Sequence, residues 1–271
     1  MFTNGIKPHV YVGMNLFKEV WQRKMRLHNL ISADEAFDIN EIVGTEIALL
    51  KQHRHWKNLD SLIKDSDNWS ISERYYYLAK QTEHSSNYDI QAPTFQMNIL
   101  EKSGGKIVIT KEQAQFFLDT KHGLFPEIKE WHAEVRRTAE RSRRLYNLHG
   151  HPYEITKGEL RETDWKELYA WIPQSTVGEI TNIAYAAMQN FIEEECPQWD
   201  LLANTHDSYL LQCPIVEAAD CAKKAKEFME QKFVSPVDGA EFNMRSEAQV
   251  GFNWRPYKKD KNELGLKEIK V

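Results

Sequence analysis

The stretch running from Trp199 to Pro214 constrains the fold of this chain more than any other. An apolar approach, Trp199 to Ala203, meets the polar run Asn204-Thr205-His206-Asp207-Ser208 and is followed by the strand-like Tyr209-Leu210-Leu211. This pattern predicts a β-hairpin with His206, Asp207 and Ser208 at its tip and its flanks buried. Asp207 then stands at the end of a rigid two-strand ribbon, as a carboxylate must if it is to hold a metal ion. A His-Asp pair in a turn also serves as a local hydrogen-bonding device, and the stretch alone leaves both readings open.

The 271 residues suffice for one large domain or two modest ones, with a real core. Cys196, Cys213 and Cys221 show no CxxC spacing, so neither a disulfide framework nor a zinc site is indicated, which suits a reducing, cytoplasmic setting. No apolar run approaches the roughly 20 residues of a membrane span, and the N-terminus lacks a signal peptide's apolar core, so no membrane partner is expected. A net charge of −5 argues against indiscriminate coating of nucleic acid, yet permits a local basic groove.

Along the chain, apolar spacing predicts a helix over 34–55 that ends in the basic cluster Lys51 to Lys57. Ser70 or Ser72 is placed to cap a second helix, in which Tyr76, Lys80, His84 and Tyr88 fall four residues apart on one stripe. That stripe offers an ammonium, an imidazole and a phenol; on spacing alone a plain amphipathic helix is the simpler account. Thr110 and Gln113 have capping-box spacing before the next helix. A long helix after Phe125-Pro126 carries Arg136, Arg137, Arg141, Arg143 and Arg144, the densest positive patch in the sequence. Tyr146 to Glu154 reads as strand, tight turn, strand. Gln174 and Ser175 are expected at the N-terminal end of an apolar helix through Ile180 to Ile192. A helix over 216–233, a strand at 248–254 and a charged tail at 258–270 complete the reading, and no repeat appears.

Several of these stretches, in one order, resemble the fingers and C-terminal palm of family A DNA polymerases, the bacterial DNA polymerase I and phage replicative group. Lys80-x-x-x-His84-x-x-x-Tyr88 resembles the fingers helix, and Phe125-Pro126 with Trp131-His132 the helix pair after it. Tyr146-Asn147-x-x-Gly150 is similar to the palm turn that meets the primer–template duplex, and Pro173-Gln174-Ser175-Thr176 to the helix whose glutamine reaches the minor groove. His206-Asp207 resembles the catalytic hairpin and Val250-Gly251-x-Asn253-Trp254 the terminal palm strand. The resemblance covers roughly residues 1–15 and 70–254.

It implies an α+β fold: residues 1–15 following the first palm motif, a helical fingers-like subdomain over 16–145, and a C-terminal palm portion with an antiparallel hairpin over 146–271. It implies a polymerase that transfers nucleotides with two Mg²⁺ ions, Asp207 being a bridging carboxylate and His206 positioning the primer terminus. Lys80, His84 and Arg74 are expected to bind the phosphates of the incoming dNTP and Tyr88 to stack near the new base pair. Gln174, Asn147, Arg136 and Arg143 are expected to contact primer–template DNA.

The departures matter as much. Tyr76 stands where the family has an Arg, and Arg74, two residues off, replaces it only if the helix begins irregularly. His84 stands for Phe or Tyr, Asp89 for Gly, His151 for Arg, and Ser208 for the Glu of the bacterial enzymes. The family's other catalytic Asp lies upstream of the segment that Phe2, Asn4, Gly5 and His9 resemble. One carboxylate does not hold two Mg²⁺ ions. The expectation is therefore one half of a split polymerase, whose partner polypeptide supplies the missing Asp and the thumb. A catalytically inactive DNA-binding or replisome subunit is the alternative, and a metal-dependent phosphohydrolase a third reading.

Overall fold

The computed structural model describes residues 6–32, 34–234, 239 and 241–271. Phe2, Asn4 and Gly5 lie outside them, as does the Ser72 side chain. The fold is α+β: helices dominate and the strands form small antiparallel pairs. The chain divides into two compact units, the first 1–143 with 156–169 and the second 144–155 with 170–271.

The first unit holds α1 (Pro8–Leu16), α2 (Lys18–Leu27), α3 (Ile39–Val43), α4 (Trp56–Asp65), α5 (Tyr75–Ser86), α6 (Ala92–Lys102), α7 (Lys111–Leu124) and α8 (Glu127–Ser142). Helix α1 runs through its centre, buried from Val10 to Leu16. Gly13 lets α1 approach α5 closely, because a Cβ there would lie 3.1 Å from Ala79 Cβ. Two apolar clusters meet across Phe17, Leu124 and Phe125.

The helix expected over 34–55 is instead α3 followed by turns. Asp38 caps α3 by accepting from the Asn40 N–H, and Gly44 ends it. Ile42 and Leu50 still reach the core, so their apolar spacing reports burial and not a continuous helix. Helix α5 begins at Tyr75, with Ser66 Oγ accepting from the Tyr76 N–H, so Ser70 is not its cap. The capping box at α7 forms as its sequence predicts: Thr110 Oγ1 accepts from Gln113 N–H, and Gln113 Oε1 accepts from Thr110 N–H.

In the second unit, β1 (Arg144–Tyr146) pairs with β2 (Pro152–Glu154). Helix α9 (Glu162–Glu195) is a single helix through Pro173, contributing its first turns to the first unit and the remainder to the second. The expected start near Gln174 is thus corrected. Pro173 removes one backbone hydrogen bond, and buried residues on both sides, Leu168 and Tyr169 before it and Ile180, Ala184 and Met188 after it, hold the helix across the gap. Next come β3 (Asp200–Asn204) with β4 (Tyr209–Gln212), α10 (Ala218–Met229), β5 (Lys232–Val234) with β6 (Glu241–Asn243), and β7 (Ala248–Val250) with β8 (Lys267–Ile269). Strand β8 pairs antiparallel with β7, so the expected charged tail is folded back; a partner that far along the chain leaves no local signature. Met188, Ile192, Trp199 and Cys221 form the core beneath the β3–β4 hairpin.

Candidate functional site

The β3–β4 hairpin turns through Thr205 to Ser208, as its sequence predicts. Thr205 N–H donates to the Ser208 carbonyl at 2.8 Å, and His206 N–H donates to Asn204 Oδ1 at 3.0 Å. His206 holds a positive φ of 78°, a conformation that costs a non-glycine residue on the order of 1 kcal/mol. The Asp207 side chain is exposed and accepts no hydrogen bond among the described residues. The turn is held by Thr205, Asn204 and Ser208, which leaves the Asp207 carboxylate available.

Helix α9 braces this tip. A Cβ on Gly178 would sit 3.2 Å from the His206 ring, so glycine is what lets the tip lie against the helix. Asn204 Nδ2 donates to Asn182 Oδ1 at 2.7 Å, and Tyr185 meets Tyr209 edge to face. Gln174 lies one turn before Gly178 and is exposed. Gln174 therefore lies on α9 one turn from the glycine that His206 contacts.

Asn147 is not free. It is buried, donates to Glu179 at 2.7 Å, and accepts from the His149 and His151 N–H groups. It shapes the β1–β2 turn and ties it to α9. Asn147→Ala is expected to cost about 1–3 kcal/mol, measured as a lower urea midpoint of the second unit, because Glu179 and two N–H groups lose their partner.

In the first unit, Lys80 and His84 are exposed on one face of α5, opposite Leu78, Ala79, Thr82 and Ser86. The helix ends at Ser86, so Tyr88 lies beyond the stripe predicted for it. Asp89 adopts φ 56°, the left-handed conformation that glycine adopts most readily, and its carboxylate pairs with Arg136 at 3.3 Å. Arg136 also donates to the Tyr169 hydroxyl and lies over Trp165, so it is a structural hub. Arg74 precedes α5 irregularly, pairs with Asp67 at 3.1 Å and lies over Tyr77. Arg143 is the left-handed cap of α8.

Two groupings in this unit escape the sequence. His9, in the first turn of α1, bonds the Tyr76 hydroxyl at 2.6 Å. Its imidazole is pushed down to about 4, first by burial and then by the positive charge of Lys7, Lys80, His84 and Lys64. Below α5, the buried Lys121 donates to Asn87 Oδ1 at 3.2 Å and lies over Phe125, while His132 Nε2 bonds the Asn87 carbonyl at 2.9 Å. Desolvation pushes the Lys121 ammonium down to about 8. This pair clamps the turn that carries Tyr88. The only local hint of the His9 cluster is Pro8, which starts α1 immediately before it.

The His9 shift has a checkable consequence. The unfolded imidazole protonates near 6.5 and the folded one near 4, so the unfolded state binds the extra proton between these values. Stability should fall as pH drops from about 6.5 to about 4, by on the order of 2 kcal/mol. His9→Gln keeps a partner for Tyr76 and should remove that part of the slope in urea titrations at pH 7 and 4.5. An unchanged slope would show that His9 does not cause it.

Asp207 is one carboxylate, and the described residues contain no group of three His, Cys, Asp or Glu side chains able to hold a metal ion. Two Mg²⁺ ions do not fit these residues alone.

No family model matches the chain, and no curated protein matches it in sequence. Among solved structures, it is similar to the POL domain of Pol1 from M. smegmatis in complex with DNA primer-template and dNTP, with a TM-score of 0.50 and 13% identity over 63% of this chain. The fold is polymerase-like. The chain spans 30% of the chain it matches. No helix among the described residues is long and apolar enough to cross a membrane.

Proposed function

We propose that this chain is the fingers and C-terminal palm portion of a split, template-directed family A DNA polymerase, working in the cytoplasm on primer–template DNA and dNTPs. A second polypeptide would supply the other catalytic Asp and the thumb. The observation that carries this reading is the unpartnered Asp207 carboxylate on a braced hairpin tip, in a chain of polymerase-like fold.

Two Mg²⁺ ions, if held at a site completed by that partner, would supply Lewis-acid chemistry toward the primer 3′-hydroxyl and the triphosphate. Asp207 would contribute one carboxylate to a site that the partner completes. His206 would orient the primer terminus and Gln174 would bond the minor groove. Lys80 and His84, with His9, Lys7 and Lys64, would bind the dNTP phosphates, and Tyr88 would stack at the new base pair. Asn147 and Arg136, whose side chains are engaged, would act through the turn and helix they hold, and Arg143 would face backbone phosphate.

The test is primer extension with Mg²⁺ and dNTPs, using this chain alone and mixed with polypeptides that carry the upstream Asp motif. Extension only in a mixture is expected. Robust extension by the chain alone defeats the split, and DNA binding without extension in any mixture identifies an inactive subunit.

A further inference from the structure

The segment after β7 contains an exposed surface to which the polymerase reading gives no role. Phe252 and Trp254 are 70% and 60% exposed, and Tyr257 lies beside them in sequence with Lys267 5.3 Å over its ring. These rings sit on a built scaffold. Gly251 and Gly265 cross so closely that a Cβ on Gly251 would come within 2.6 Å of the Gly265 backbone. Asn262 Nδ2 bonds Asn253 Oδ1 at 3.1 Å and the Pro256 carbonyl at 3.0 Å, while Phe252 N–H donates to the Leu264 carbonyl at 2.7 Å. The hydrogen bonds fix the loop and leave its rings in water.

The charge points the same way. Residues 252–261 carry Arg255, Lys258, Lys259 and Lys261 against Asp260, in a chain whose net charge is −5. None of these four bases forms an ion pair among the described residues, whereas Arg136, Lys157 and Lys232 all do. The core of a protein interface is depleted in lysine, so a polypeptide partner is a poor fit. A duplex hides its base faces. A single strand offers both phosphates and faces to stack, and aromatic rings beside unpaired bases are how such strands are held.

We propose that residues 252–261 bind single-stranded nucleic acid, with bases stacking on Phe252 and Trp254 and phosphates held by Lys258, Lys259 and Lys261. This site is independent of Asp207 and of any partner polypeptide.

The experiment is fluorescence anisotropy of the full chain with a labelled 15-nucleotide oligothymidylate and with a blunt duplex, in EDTA and without dNTPs, across a salt series. The single strand should bind more tightly than the duplex. Trp254→Ala with Phe252→Ala should weaken it about tenfold or more with the salt slope kept, while Trp254→Phe should retain stacking and most of the affinity. Lys258, Lys259 and Lys261 all changed to Gln should lower the salt slope by about 2. Both rings are exposed, and unchanged circular dichroism would confirm that the variants fold. Aromatic variants within twofold of the parent overturn the site. So does equal weakening toward duplex and single strand, or unaltered DNA binding with loss of a polypeptide partner. Extension is not measured, so failure of the polymerase reading leaves this result standing.

Discussion

Under the proposed split-polymerase function, Asp207→Asn should reduce primer extension by the mixed polypeptides on the order of 10³-fold while leaving the folded state intact. The two parts of this result have separate causes. The Asp207 side chain is exposed and bonds nothing among the described residues, so the amide should change stability by less than about 0.5 kcal/mol. The turn does not need the carboxylate, because Thr205, Ser208 and Asn204 supply its hydrogen bonds. A purely local role for Asp207 predicts the reverse: lost stability with activity kept. Paired urea unfolding and primer-extension rates on the same preparation separate the two. Extension within tenfold of the parent would remove Asp207 from the catalytic site, whatever the partner supplies.

The hairpin that carries Asp207 was legible because everything that makes it is local: two short strands, four turn residues and an Asn204 side chain two residues from the N–H it accepts from. The α7 capping box was legible for the same reason, its four atoms lying within three residues. Legibility failed where distant contacts overrode a local signal. Pro173 reads as a break, yet buried side chains on both sides carry α9 through it. The apolar spacing over 34–55 reads as one helix, but Gly44 ends it and the same residues reach the core from turns. Residues 258–270 read as a solvated tail because β8's partner, β7, lies some twenty residues away. The candidate site divides in the same manner. Lys80, His84 and Asp207 could be named from the ordered motifs that resemble a polymerase family, whereas Lys64 and Lys121 could not. His9 reaches Tyr76 only because Gly13 and Ala79 let two helices touch, and no pattern within either helix records that meeting.

That meeting of α1 with α5 depends on Trp21, and Trp21→Ala should be the most damaging single truncation in the first unit, at about 3–5 kcal/mol. Trp21 is fully buried, donates its indole N–H to the Gly13 carbonyl at 2.8 Å, and packs against Phe17, Trp69 and Tyr75 at ring separations of 6.4, 6.3 and 5.5 Å. It therefore touches the middle of α1, the turn before α5 and the first residue of α5. Alanine leaves a cavity walled by rigid rings that cannot collapse into it, which places the cost at the high end. Trp21→Phe should cost only about 1–2 kcal/mol. The Gly13 carbonyl still accepts from the Phe17 N–H at 3.2 Å, so losing the indole donor orphans no buried group. The two units can unfold in separate steps, so amide exchange along α1 and α5 is the decisive measurement. Protection should drop there first in Trp21→Ala and stay near the parent's around Met188 and Trp199. A uniform loss across both units, or a cost below about 1 kcal/mol, would show that the ring cluster does not set the α1–α5 contact. If it does, the same variant should also weaken the phosphate binding proposed for Lys80 and His84, because His9 reaches Tyr76 of α5 only while that contact holds.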